Sequence, residues 1–420
     1  MAGNYSETVS TGVRDPLSAK AMYCAQGDTA FCIVVCDVCG HERGLTDAAR
    51  ERAAKRTGIS AKHIVFTATH THGGPMHYDP VLLAIDRAKQ GAKDDATDPR
   101  ELGGYRKNFP DKLADAVVQA KANAKPATLS HADGRAPGVA FNRRYHMKNG
   151  AVRFNPGKLN ADILEPAGPT DDRLPLLLAR DAGGKPFGSL CAFAMHTAVY
   201  GGRAFSADYP ADLQTELRTR YGDGFLSVFG EGCAGDVNHV DVRTKQANRT
   251  PAEIGAKLAT AFRDAKPVPV EAALAVAIGE VNAPLRDDRP LDLPTARKTL
   301  GNNEGEFLDQ VEAYRLLLVK QYRDKHDDAV PLAVRAFKLG ADAAIVALPH
   351  EIFVEHGLAI RQASPFATTL VISLADEVDC YVPTRKAFGE GSYEVTNSPY
   401  KAGVGELLVA EAVRLLKTLK

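Results

Sequence analysis

Three short stretches carry residue types able to hold a divalent cation. Ala68-Thr69-His70-Thr71-His72-Gly73-Gly74-Pro75 closes an apolar run and enters a Gly-Pro turn. Two histidines at i and i+2 on an extended segment point to one face. Converging imidazoles at a strand end suit a metal such as zinc; a hydrogen-bonded pair at a loop is the other reading. Phe193-Ala194-Met195-His196 closes a second apolar run, so His196 is either a satisfied core imidazole or a ligand. In Ala347-Leu348-Pro349-His350-Glu351 a strand hands over to a helix, and Glu351 either faces the same rim or caps the helix. Sites in α/β sheets collect at the carboxyl ends of strands, so His70 and His196 reinforce each other. His350 and His356 are six apart, which excludes the helical spacing of zinc proteases.

Gly230-Glu231-Gly232-Cys233-Ala234-Gly235 matches G-x-G-x-x-G, but Asp236–Arg243 after it has no helical period. A dinucleotide site needs a helix opening at that loop. The glycines are better used as a tight turn presenting Asp236 and Asn238. Cys36-Asp37-Val38-Cys39 has zinc-knuckle spacing without a second pair and lies in a buried-looking run, so its cysteines are assigned to the core. Neither a nucleophile elbow nor a phosphate-loop lysine occurs.

Elements that position these residues follow from pattern. Strands are predicted over 31–38, 63–69, 187–196, 225–229, 268–278, 332–339, 343–348 and 370–374. Helices are predicted over 46–56, 109–124, 211–221, 252–265, 306–322, 352–361 and 404–419. Apolar runs alternating with helical periods indicate an α/β fold, with a large mixed β-sheet core and flanking helices. In the 306–322 helix, Phe307, Val311, Tyr314 and Leu318 form one stripe, read as core or as a channel wall. Long loops are expected at 73–104 and 133–170, a length that favours function. Nothing divides the 420 residues into independent units, so a single domain over 1–420 is expected.

Lys+Arg and Asp+Glu both number 52, so the formal net charge is zero, which argues against nucleic-acid partners and a polybasic membrane anchor. No apolar run is long enough for a transmembrane helix. The cysteines number seven, an odd count that fits reduced thiols better than a disulfide framework. Met1-Ala2-Gly3 opens no basic or apolar leader, which points to a cytoplasmic protein.

Taken together, these segments resemble the neutral/alkaline ceramidase family, in its N-terminal catalytic domain. The resemblance runs in order through Ala68–Pro75, Phe141-Asn142-Arg143-Arg144, Phe193–His196 with Ser206-Ala207-Asp208-Tyr209, Gly232–Asn238, Leu348–Glu351 and Tyr381-Val382-Pro383-Thr384 with Tyr393. It implies one Zn2+ per chain held by His70, His196, Glu351 and Tyr381. It further implies His72 either just behind the ligands or in proton transfer, Arg143 and Tyr393 on the substrate carbonyl, and Asp236 beside the metal. The implied reaction is hydrolysis of a C–N amide bond in a small-molecule or lipid N-acyl substrate. The alternatives are hydrolysis of another amide, ester or lactone, or a non-catalytic binding module.

Three features depart from the family. Asn238 stands where it has serine and His239 where it has proline, both placed by the resemblance near the substrate. The chain ends at Lys420 without an immunoglobulin-like domain. It also starts where the family already has a preceding strand. Family members are commonly exported, so a secreted or periplasmic location is the alternative to the cytoplasm.

Overall fold

The computed structural model describes residues 1–3, 8–77, 79–89, 104–287, 292–302 and 304–420. Three mixed sheets dominate. One orders Ala19–Gln26, Thr29–Cys36 and Ile64–Ala68. The second orders Leu226–Glu231, Pro186–Phe193, Arg173–Arg180, Thr128–Arg135 and Val268–Val270. The third orders Ala272–Pro284, Ala329–Gly340, Ala343–Ala347 and Thr368–Ile372. The expected α/β class therefore stands, with its sheet core divided among three sheets.

These sheets share one inner core. Phe31, Ile33, Val65, Leu190, Val228, Phe337, Ile345, Leu370 and Ile372 pack in it. Each such side chain contributes about 1.5–3 kcal/mol when fully buried. Helices cover the opposite faces. Arg43–Thr57 and Tyr105–Ala122 lie on the first sheet. Tyr209–Tyr221 and Pro251–Asp264 lie on the second. Phe307–His326, Val354–Ala363 and Val404–Leu419 lie on the third.

Several expectations are corrected. The run over 268–278 breaks at Glu271 into two strands in different sheets. The helix expected from 352 begins at Val354, because Glu351–Ile352 form a short strand first. The expected loop over 73–104 contains a helix, Pro80–Lys89; residues 90–103 lie outside the described residues. The 133–170 segment holds strands Phe141–Asn142, Arg144–Met147, Val152–Phe154 and Ile163–Pro166. In the stripe of Phe307–His326, Val311, Tyr314 and Leu318 are buried, but Phe307 is 47% exposed. Strand Arg173–Arg180 was not anticipated, since Pro175 interrupts its pattern; it nonetheless pairs along its whole length with Thr128–Arg135.

The parallel pairs determine where chemistry can gather. Thr29–Cys36 runs parallel to Ile64–Ala68, Pro186–Phe193 to Leu226–Glu231, and Ala343–Ala347 to Thr368–Ile372. Just past these strands the chain bends sharply. His70, His350, Leu374 and Asp376 all have positive φ, between 61° and 67°. Such conformations cost on the order of 1–3 kcal/mol each and persist where surrounding structure enforces them. No helix among the described residues is long and apolar enough to cross a membrane.

Candidate metal centre

His70 follows the Ile64–Ala68 strand, and its ring is oriented by the backbone. Nδ1 lies 2.6 Å from the carbonyl oxygen of Cys39. A carbonyl only accepts, so Nδ1 carries the hydrogen and Nε2 keeps its lone pair. His196, past the Pro186–Phe193 strand, repeats the device with Nδ1 at 2.9 Å from Ala234 O. The two rings stand edge to face, centroids 4.8 Å apart.

Both Nε2 atoms face one carboxylate oxygen, and that of His196 also accepts from Arg143 Nη1 at 3.1 Å. Glu351 Oε2 is 3.3 Å from His70 Nε2 and 3.1 Å from His196 Nε2. This oxygen is buried and accepts no hydrogen bond with proper geometry. Three acceptor atoms facing one another in a dry site repel unless a proton or a cation lies among them. The imidazoles respond in opposite directions. Burial alone would depress His70, but Cys39, Glu351 and Glu231 push it well above the ordinary range. Burial and then Arg143 push His196 down to about 4, against the pull of Glu351. Burial works against the Glu351 charge, yet His70 and His196 hold its carboxyl well below the carboxylate range. With Nδ1–H tied to backbone carbonyls and Nε2 deprotonated, as a bound cation would require, the two imidazoles and the ionised carboxylate form a common zinc ligand set. The residues fit the ion.

Glu351 is placed by a two-residue parallel ladder with Tyr381–Val382, in which Glu351 pairs with Tyr381. Tyr381 lines the same cavity as His70, His72 and Glu351. Tyr393 begins the short helix Tyr393–Asn397 and donates its hydroxyl to that of Tyr381 at 3.4 Å. Burial, Glu351 and Tyr393 keep the Tyr381 hydroxyl well above the usual phenol range while Arg143 works against them. His72 stands with its ring centroid 5.2 Å from that of His70, and desolvation with the His70 and His196 charges pushes it well below the usual range.

Arg143 reaches the centre from the Phe141–Asn142 strand, which pairs with Val237–Asn238. Its Nε donates to Glu394 at 2.9 Å, its Nη2 to Gly235 O at 2.7 Å, and its Nη1 lies 3.1 Å from His196 Nε2. The guanidinium also stands over the rings of Phe154, Tyr381 and Tyr393. Burial disfavours the Arg143 charge, but Tyr381 and Glu394 outweigh it and push the group up, so it stays cationic.

Other expected residues occupy different places. Asp236 is buried, and its carboxylate is used twice: Val354 N donates to Oδ1 at 2.9 Å and Asn142 Nδ2 to Oδ2 at 2.7 Å. It anchors the first turn of Val354–Ala363 and the Phe141–Asn142 strand that leads into Arg143. Asn238 donates Nδ2 to Asn155 Oδ1 at 3.0 Å and accepts from Val240 N at 2.9 Å. His239 faces Asn248 at 3.4 Å. Neither Asn238 nor His239 is among the described residues that line the cavity.

Residues not foreseen also belong here. Cys39, assigned from sequence to the core, lines the cavity, with Sγ 3.7 Å from His70 Nδ1. Glu231 ends its strand with Oε1 4.0 Å from His196 Nδ1, and burial raises its carboxyl to about 8. An acid closing a buried strand was the available signal. Glu394 is wholly buried and holds both Arg143 and Arg144. Asp79, Tyr314 and Asp379 also line the cavity, whose volume is about 80 Å3.

Two solved structures share this fold. Neutral ceramidase from Pseudomonas aeruginosa matches with a TM-score of 0.70 and 18% identity, over 97% of this chain and 69% of that one. A structure described as ceramidase complexed with C2 matches with a TM-score of 0.72 and 16% identity, over 99% and 72% of the two chains. No family model and no curated protein matches the sequence.

Proposed function

We propose that this chain, which has the ceramidase fold, is a zinc-dependent hydrolase that cleaves the C–N amide bond of an N-acyl substrate. The observation that carries the proposal is Glu351 Oε2, buried without a hydrogen-bond partner between His70 Nε2 and His196 Nε2. His70, His196, Glu351 and Tyr381 would hold one zinc ion per chain. Zinc bound there would supply Lewis acidity, lowering the pKa of water toward neutrality and polarising a carbonyl.

The remaining work falls to the protein. His72 takes the proton lost by the attacking water and returns it to the leaving nitrogen as the C–O bond forms and the C–N bond breaks. Desolvation, with His70 and His196 beside it, pushes His72 well below the ordinary imidazole range, so the ring is neutral before the reaction and gives a captured proton up readily to the leaving nitrogen. Arg143 and the Tyr393 hydroxyl lie where charge develops on the carbonyl oxygen, and a fixed cation in a dry site needs little reorganisation. Asp236 acts one step back, by fixing the backbone on which Arg143 sits. Asn238, with its amide used within the chain, leaves recognition of the substrate's polar head to other residues, whereas His239 uses only Nε2, towards Asn248, and keeps a buried Nδ1 without a partner among the described residues.

Zinc analysis of the purified protein, paired with a hydrolysis screen over N-acyl amines, a short-chain ceramide and matched esters and lactones, tests the reading. Amide turnover that disappears with the metal supports it. Turnover of esters or lactones alone would replace the amide with that class. A zinc-free protein that turns over none of them would leave a binding module.

A further inference from the structure

His72 differs from its two neighbours in how its ring is held. His70 and His196 are each fixed by Nδ1 on a backbone carbonyl. The His72 ring has no such bond among the described residues, so its position is set by packing. On one side stand the rings of His70 and His196, with centroids 5.2 Å and 6.1 Å away. On the other side lies Gly3. A Cβ on Gly3 would overlap Nδ1 and Cγ of His72 and lie 2.8 Å from Cε1. The imidazole thus rests against a bare Cα, and the φ of Gly3, +83°, is one that side chains rarely adopt.

This part of the chain is anchored beside the histidine it covers. Ala2 N donates to Gly74 O at 2.9 Å, two residues beyond His72. Ala2 is fully buried and packs with Cys39 and Met76. Gly3 lines the same cavity as His70, His72, Glu351 and Tyr381.

We infer that Gly3 is a positioning residue: its missing side chain sets the place of the His72 ring, and with it the path of the proton to the leaving nitrogen. The inference rests on the proposed role of His72. A methyl group at position 3 displaces either the ring or the segment that forms its wall. A displacement of about 1 Å in a proton-transfer group can cost up to ~10²-fold in rate.

The test combines Gly3→Ala with His72→Gln and the double variant, in the full chain. Ring 15N resonances of labelled histidine, with His72 assigned by its loss in His72→Gln, report ring placement without reference to activity. We expect Gly3→Ala to move the His72 resonances, to retain zinc, and to lower kcat about 10- to 100-fold with KM nearly constant. In the His72→Gln background, Gly3→Ala should change kcat by less than about twofold. Gly138→Ala, at a positive-φ glycine with open space around it, controls for backbone strain and should leave kcat unchanged. Unmoved His72 resonances, or the same loss of rate in both backgrounds, would overturn the inference. A wild-type protein that hydrolyses no N-acyl substrate would defeat the functional reading, while the resonances would still decide the role of Gly3.

Discussion

Glu351 and Tyr381 sit directly opposite each other in a parallel ladder only two residues long. Glu351 N donates to Cys380 O at 3.0 Å and Phe353 N to Val382 O at 3.3 Å, so a few backbone bonds fix both side chains on one rim. Side chains of paired residues in a ladder share a face. The carboxylate and the phenol therefore approach the histidines together, although thirty positions separate them in the chain.

That pairing predicts unequal losses. Glu351→Ala removes the oxygen on which both imidazoles converge and should abolish zinc binding. Tyr381→Phe keeps the three-ligand core and should weaken zinc by about 10- to 100-fold, the scale of a supporting interaction. Competition with a chromophoric chelator measures both. Equal affinities for wild type and Tyr381→Phe would remove the phenol from the coordination sphere.

Arg143 should matter to rate rather than to metal. Arg143→Ala is expected to keep its zinc and lose about 10²–10³ in kcat, the scale of one oxyanion donor. Glu394→Gln retains the shape of the side chain that holds Arg143 but not its charge, and should lower kcat by a smaller factor. Steady-state kinetics beside metal analysis reads both variants. Loss of zinc from Arg143→Ala would instead make the guanidinium part of the metal site's framework.

Much of the centre was legible because its residue types fall at strand ends. His70, His72, His196 and Glu351 each close or follow an apolar run, where α/β folds put their sites. Tyr381 and Tyr393 were reachable only through family resemblance, since a two-residue ladder leaves no periodic trace. The φ of 63° at His70 breaks the extended geometry that suggested a shared face, yet the rings still meet. Cys39 is buried, as its neighbours in sequence suggested, and its side chain also lines the cavity, because the turn after Thr29–Cys36 passes beside His70. Glu394 gave no signal, because its arginine partners lie about 250 residues away. Among the strands, Arg173–Arg180 was obscured by Pro175, whose cost is offset by the strand's burial between two partners.

Acid should destabilise the fold through Asp376. Its carboxylate is buried between Arg50 and Arg335. Burial alone would raise its pKa, but Arg335 and Arg50 outweigh burial and hold it below the ordinary value of 3.8. A depressed carboxyl contributes stability above the unfolded pKa and loses it as the pH falls through the folded one. Stability from this group should therefore be complete near neutral pH and decline below pH 3.8. Asp376→Asn should cost about 3–5 kcal/mol at neutral pH, as expected when one partner of a buried charge network is removed. It should also flatten the acid limb. Urea unfolding across pH checks this, and an unchanged acid limb in the variant would assign acid sensitivity elsewhere.

Asn238 offers a test at a residue that is not among those lining the cavity. Its amide bridges Asn155 and Val240. Asn238→Ser should lose about 1 kcal/mol of stability with that bridge, keep stoichiometric zinc, and change kcat/KM on an N-acyl substrate by less than about threefold. A large gain in turnover of a short-chain ceramide would show that the asparagine side chain obstructs the substrate.

His70, His196 and Glu351 are proposed to hold zinc, and zinc stoichiometry, determined by atomic emission on the purified protein and on His196→Ala, decides whether they do. One zinc per wild-type chain and essentially none in the variant are expected, with both proteins folded by circular dichroism. A His196→Ala protein that still carries one zinc per chain, or a folded wild type that takes up none when zinc is supplied, would contradict that assignment.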